Sequence, residues 1–215
     1  DTPFAYTTND IVVAIIDSGI NANHPDLKNK VLFFKDYVKN KTTPYDDEGH
    51  GTFVSGVVAG TGKIDKSLAG VAPGAALVVF KVLDSTGSGQ ISDGIAAVDE
   101  AISRKAQFNI RVLNLSLAVP GSSNGKDAFS QICNRAVANG ITVVVAAGND
   151  GPIARTIGSP SAAASVITVG AGADLNEKGF YLADFSGRGP TADGRIKPDL
   201  WGPAVAIKTT RRQGG

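Results

Sequence analysis

The strongest constraint on the fold of this chain is a set of five short runs, at positions 11–16, 77–82, 112–117, 141–147 and 166–169, that are apolar almost throughout and rich in β-branched residues. Runs of that length and composition read as strands, and their lack of alternation suits a sheet covered on both faces. Helical patterns lie between them. One carries Ile95, Val98 and Ile102 after Ser92 as a candidate cap, and another extends from about Asp127 to Asn139 and stops at Gly140. A third opens at His50 or just after, with Val54, Val57 and Val58 on its apolar side. Strands alternating with helices imply parallel pairing through right-handed crossovers. The expected fold is therefore α/β, three-layered, with a mainly parallel central sheet and helices on both faces.

The 215 residues are 42% hydrophobic, enough to bury a core, and residues 1–215 read most simply as one domain. A formal charge of +1 supplies no wide field to attract nucleic acid or anionic lipid, so neither is an expected partner. No apolar stretch approaches the roughly 20 residues of a membrane span. A single cysteine excludes an internal disulfide, and Cys133, among Phe129, Ile132, Ala136 and Val137, reads as core packing.

The strand pattern places several polar residues where open α/β sheets bind ligands, at the carboxyl ends of strands. Asp17 follows the first run, Ser116 and Leu117 end the third, and Asn149 follows the fourth. Asp17 and His50 have the chemistry for acyl transfer: a hydroxyl nucleophile needs a neutral imidazole to take its proton, and the imidazole needs an anion to hold its useful tautomer. Glycines on both sides of His50 permit close approach of other backbone. Each residue alone also has an ordinary structural use. Asp17 could cap the next segment, and Asn149 could serve a left-handed turn before Asp150-Gly151. His24, just before Pro25, reads as a surface residue with no catalytic role.

Taken in order, Ile16-Asp17-Ser18-Gly19-Ile20, His24-Pro25-Asp26-Leu27, Gly49-His50-Gly51-Thr52, Gly70-Val71-Ala72-Pro73, Asn114-Leu115-Ser116-Leu117, Ala146-Ala147-Gly148-Asn149-Asp150-Gly151 and Phe185-Ser186-Gly187-Arg188-Gly189-Pro190 resemble the subtilisin-like serine proteases. The resemblance covers essentially the whole chain. It implies that Asp17 is the orienting acid, His50 the general base and Asn149 the side-chain donor of the oxyanion hole. It further implies that Gly87-Ser88-Gly89 and Ser116-Leu117-Ala118, with Ala147 and Gly148, hold a peptide or protein substrate as an added strand. Ala118 stands where the family usually has glycine, and its methyl is expected to narrow the primary specificity pocket. Phe53 replaces a histidine frequent in relatives, at a position outside the triad.

No cofactor is required by such a mechanism. Structural calcium is common in the family, and Asp26 matches a ligand position in some relatives, but the loop 61–68 does not reproduce their oxygen-rich pattern, which leaves calcium unassigned. Secretion is implied by family habit alone. The Gly-Thr-Ser motif that bears the nucleophile in relatives does not occur here. The expectation is a catalytic domain incomplete at its C-terminal side, completed by a companion segment that carries the serine. The competing expectation is a non-catalytic peptide-binding scaffold that keeps the cleft alone.

Overall fold

A computed structural model describes residues 10–174 and 179–211. The chain divides into two compact units, one of residues 1–114 with 208–215 and one of residues 115–207.

In the first unit, β1 (Val12–Asp17) and β3 (Ala76–Lys81) pair in parallel from Val12↔Ala76 to Asp17↔Lys81, and every residue of both is buried. β2 (Val31–Asp36) pairs in parallel on the far side of β3, and β4 (Ile110–Leu115) lies on the far side of β1. The unbroken apolarity of β1 and β3 follows from this central position. Successive side chains point to opposite faces. Val13, Ile15, Leu77 and Val79 join Val54 and Ala59 of α1 (His50–Ala59) in one cluster. Val12, Ala14, Ile16, Val78 and Phe80 fill the other face, also without exposure beyond a trace, and α2 (Ile91–Ser103) packs against β1 through its buried stripe of Gly94, Ala97, Val98 and Ala101. Burying each Ile or Leu of this core stabilises the fold by about 1.5–3 kcal/mol. The short helix α3 (Lys105–Phe108) ends at Asn109 in a left-handed conformation. The segment that begins at Lys208 returns to this unit, where the Thr210 hydroxyl donates to the carbonyl of Thr52 at 2.7 Å.

In the second unit, β5 (Thr142–Ala146) and β8 (Leu200–Pro203) pair in parallel with β6 (Ile167–Asp174), and β7 (Phe180–Leu182) pairs with it antiparallel. α4 (Ala128–Ala138) packs on β5 and buries Phe129, Cys133 and Ala136. Asp127 caps it by accepting the Ser130 N–H at 2.9 Å, and Gly140 ends it with a φ of +74°. Cys133 is fully buried, and burial pushes its thiol up to about 12, so it is inert packing.

The fold is thus α/β with a mainly parallel sheet, as its strand pattern implies. Three details differ from expectation. The third apolar run forms its strand two residues early, ending at Leu115, because 116–118 continues as extended chain without ladder pairing. Gln90, not Ser92, precedes α2, and its side chain makes no capping bond. β2, β7 and β8 have no counterpart among the five runs. β2 is a half-exposed edge strand with a register shift between Val31 and Phe33, and the other two are short, one of them containing Gly and Pro.

Candidate active site

Asp17 is the last residue of β1 and His50 the first of α1, so their approach depends on how closely the helix can meet the strand end. Two glycines set that distance. A Cβ on Gly51 would stand 2.1 Å from the carbonyl oxygen of Gly19, and Gly19 itself has a φ of +117° with its missing Cβ directed at the Tyr45 carbonyl. A side chain at position 51 would push the helix off the strand end, and one at position 19 would clash with the Tyr45 backbone, which accounts for the glycine in both the Asp-Ser-Gly and His-Gly-Thr motifs.

With the segments in contact, His50 Nδ1 lies 2.8 Å and 3.0 Å from the two carboxylate oxygens of Asp17. Asp17 is fully buried, and its Oδ1 also accepts the N–H of Ser18 at 2.7 Å. A carboxylate can only accept, so Nδ1 carries the ring hydrogen and Nε2 of the neutral ring is left with a lone pair. The hydrogen bond that Nδ1 donates to Asp17 raises the His50 pKa above 6.5. Burial opposes this, and the negative charges of Asp17, Glu48 and Asp46 add to it. This pair can accept a proton at one ring nitrogen while the other is held by an anion, the arrangement a general base requires.

Beneath the pair the chain is closely bonded. The ammonium of the fully buried Lys81 donates to the carbonyls of Ser18 and Leu83 and to Asp47 Oδ1, each at 2.6 Å. Its three hydrogens are all used, which makes this buried cation tolerable. Asp46, also buried, gathers donors from three segments. Neither Lys81 nor Asp46 is legible as functional from the sequence, because their partners are brought together only by folding.

The remaining candidates of the first unit are Gly87, Ser88 and Gly89, in the exposed turn between β3 and α2. Asp84 builds that turn: its Oδ1 accepts the N–H groups of Thr86 and Ser88 at 2.8 and 3.2 Å, and its own N–H donates to the Ser88 carbonyl at 2.7 Å.

In the second unit, the expected substrate and oxyanion residues do converge. Ser116, Leu117, Ala118, Gly148 and Asn149 line one cavity of about 140 Å³, together with Asp150, Thr156 and Gly158. Ala147 does not line it; it is buried, with its N–H bonded to the Val169 carbonyl at 2.8 Å. A Cβ at position 148 would stand 3.6 Å from the Ala118 methyl, which places that methyl across the cavity from Gly148. Hydrogen bonds fix the wall: Val119 N–H donates to Ser159 O at 2.7 Å, and Gly121 N–H to Asp150 Oδ2 at 2.8 Å. The contribution of Asp150, Thr156 and Gly158 was not anticipated, although a carboxylate directly after Asn149 is a visible signal.

One further reading changes. His24 is not on the surface: it is 2% exposed, and its Nδ1 accepts the Asp26 N–H at 3.2 Å. Asp26 is also buried, and its Oδ1 receives the Thr61 hydroxyl at 3.0 Å and the N–H groups of Lys63 and Ile64. It gathers the loop directly. Among the described residues there is no cluster of three or more His, Cys, Asp or Glu suited to a metal, and no helix long and apolar enough to cross a membrane.

The sequence signature of the subtilase family, Peptidase S8, matches residues 8–214. The chain belongs to the subtilase family. Serine protease AprX of Bacillus subtilis (strain 168) is 40% identical over 95% of this chain, and the subtilisin of Bacillus pumilus is 39% identical over the same share. Among solved structures, Sphericase superposes with a TM-score of 0.83 at 33% identity, covering all of this subtilase and 73% of that chain. The matched region spans about half the length of AprX, 48%, and 68% of the Bacillus pumilus subtilisin.

Proposed function

We propose that this subtilase is the acid–base portion of a serine endopeptidase that hydrolyses peptide bonds through an acyl-enzyme. The observation that carries this is the Asp17–His50 pair, with Nδ1 at 2.8 Å from the carboxylate in a chain of that family. A pure peptide binder has no chemical use for a buried carboxylate that raises the basicity of an imidazole. In this reading His50 Nε2 takes the proton of a serine hydroxyl as that oxygen attacks the scissile carbonyl, then returns it to the leaving amine. Asp17 holds the ring in the required tautomer and stabilises the imidazolium. Asn149 donates to the oxyanion, a kind of contact worth about 3–4 kcal/mol in the transition state. The 140 Å³ cavity takes the residue on the acyl side of the cleaved bond, with the Ala118 methyl limiting its width. Residues 87–89 and 116–118 supply main-chain bonds to the substrate.

The nucleophile is proposed to come from a serine outside these 215 residues. Ser18, adjacent to the acid, is unsuited: it is fully buried, donates to Asp46 and accepts the Gly51 N–H. Intact-mass analysis of the natural protein before and after a fluorophosphonate, a probe that labels activated serines, tests the proposal. The expected result is one probe mass added to a segment outside residues 1–215, with labelling abolished by His50→Ala. Absence of labelling in the complete protein would contradict catalysis and leave peptide binding by the cavity as the function.

A further inference from the structure

α1 is preceded by Gly49, a residue with a φ of +119° and no side chain to cap the helix. The first N–H groups of a helix lack internal partners and need acceptors from elsewhere. Here they find them in two other segments. Gly51 N–H donates to Ser18 Oγ at 2.8 Å, and Thr52 N–H to Asp46 Oδ2 at 2.9 Å. Asp46 goes further than a cap. Its Oδ2 also accepts the Thr52 hydroxyl at 2.6 Å, while Oδ1 accepts the Ser18 hydroxyl at 3.0 Å, Gly49 N–H at 2.7 Å and Glu48 N–H at 3.2 Å.

The partners of this one carboxylate are informative. Ser18 follows Asp17 directly, and Gly49 and Thr52 bracket His50. Asp46 thus holds the residue after the acid and the residues around the base in one rigid frame. It is 8% exposed and has no ion-pair partner in contact among the described residues; its charge is met by hydroxyl and backbone donors. Burial works to raise its pKa, and the bonds from Thr52, Gly49 and Ser18 outweigh that, leaving it below the usual carboxylate value. An anion at this position also suits the positive end of the helix.

We propose that Asp46 is a positioning residue for the proposed acid–base pair, locking the Asp17–His50 geometry by joining Ser18, Gly49 and Thr52. It acts through these residues and touches no reacting atom. The inference rests on Asp17 and His50 being that pair.

The test uses Asp46→Asn in the complete protease and in this chain. An amide in place of the carboxylate keeps the volume but turns a donor toward either Thr52 or Gly49, whichever way it is placed. The expected result is a folded protein by circular dichroism in which the downfield-shifted Nδ1–H resonance of His50 is lost or broadened. kcat is expected to fall roughly 10- to 100-fold, the scale of a displacement near 1 Å, with KM within about twofold. Thr52→Ser, which keeps the hydroxyl, should retain the wild-type signal, and Thr52→Val should weaken it. A folded Asp46→Asn protein with an unmoved His50 resonance and unchanged kcat overturns the proposal. If Asp46→Asn does not fold, Thr52→Val decides by the same criteria. Asp17→Asn is the control for the underlying reading: if it leaves the His50 ring signal intact, the pair itself is wrong, whatever Asp46 does.

Discussion

The frame around Asp46 in the first unit and the β7–β8 face of the second are opposites. Around Asp46, chain segments separated in sequence meet with donor matched to acceptor, and Asp17, Ser18 and Thr52 are fully buried. On the β7–β8 face, Phe180 is 89% exposed, and with Tyr181, Leu182 and Trp201 it borders an apolar groove of about 300 Å³. The first region is completed by residues of this chain. In the second, Phe180 stays almost wholly exposed and Tyr181, Leu182 and Trp201 partly so among the described residues. Substitutions should therefore be costly in one and cheap in the other.

The largest expected effect comes from Asp46→Ala. It leaves buried hydroxyl and N–H donors without an acceptor, which should cost about 3–5 kcal/mol in urea unfolding. A loss under about 1 kcal/mol would break the contrast at its stronger end. Leu77→Ala, in the cluster shared by β1, β3 and α1, should cost about 3 kcal/mol through lost transfer energy and the cavity left behind. This separates the frame's polar contribution from ordinary packing beneath it.

A smaller effect concerns pH. The His50 pKa is raised in the folded state, so its contribution to stability is full below 6.5 and is lost as pH rises through the folded value. The Asp46 pKa is lowered, so its contribution is present above 3.8 and is lost as pH falls through the folded value. Asp46→Asn should remove that acid limb and shrink the His50 limb, because it loosens the Asp17 bond that raises the His50 pKa, in melting temperatures measured against pH. Smallest of all, Phe180→Ser should change stability by no more than about 0.5 kcal/mol. A loss above about 2 kcal/mol would mean that the β7–β8 face is packed in solution, and the contrast would fail at its weaker end.

The parts of this molecule that were legible in its sequence are those where one local stretch has to satisfy one physical demand. β1 and β3 are buried on both faces and so are apolar throughout. Gly51 backs onto the Gly19 carbonyl and Gly19 onto that of Tyr45, so neither admits a side chain, which is why the motifs around Asp17 and His50 carry glycine where they do. Ser116, Leu117, Gly148 and Asn149 of the cavity were visible because their segments keep a family pattern, from which Ala118 departs. What was not legible depends on partners far apart in sequence. Asp46 looks like any acidic loop residue until Ser18 and Thr52 are beside it. His24 carries a polar ring before a proline and reads as exposed, but its ring nitrogen takes a backbone N–H inside a buried turn. β2 escaped because an edge strand, half-exposed and with a register shift, lacks the continuous pattern of its neighbours.

The central claim is that this chain alone carries a preformed acid–base pair, and NMR titration of the His50 ring in the wild-type chain and in Asp17→Asn tests it most directly. The account predicts a midpoint above 6.5 with a hydrogen-bonded Nδ1–H in the wild type, and a fall in that midpoint with loss of the signal when the carboxylate is neutralised. A His50 that titrates at or below 6.5 and does not respond to Asp17→Asn would contradict it.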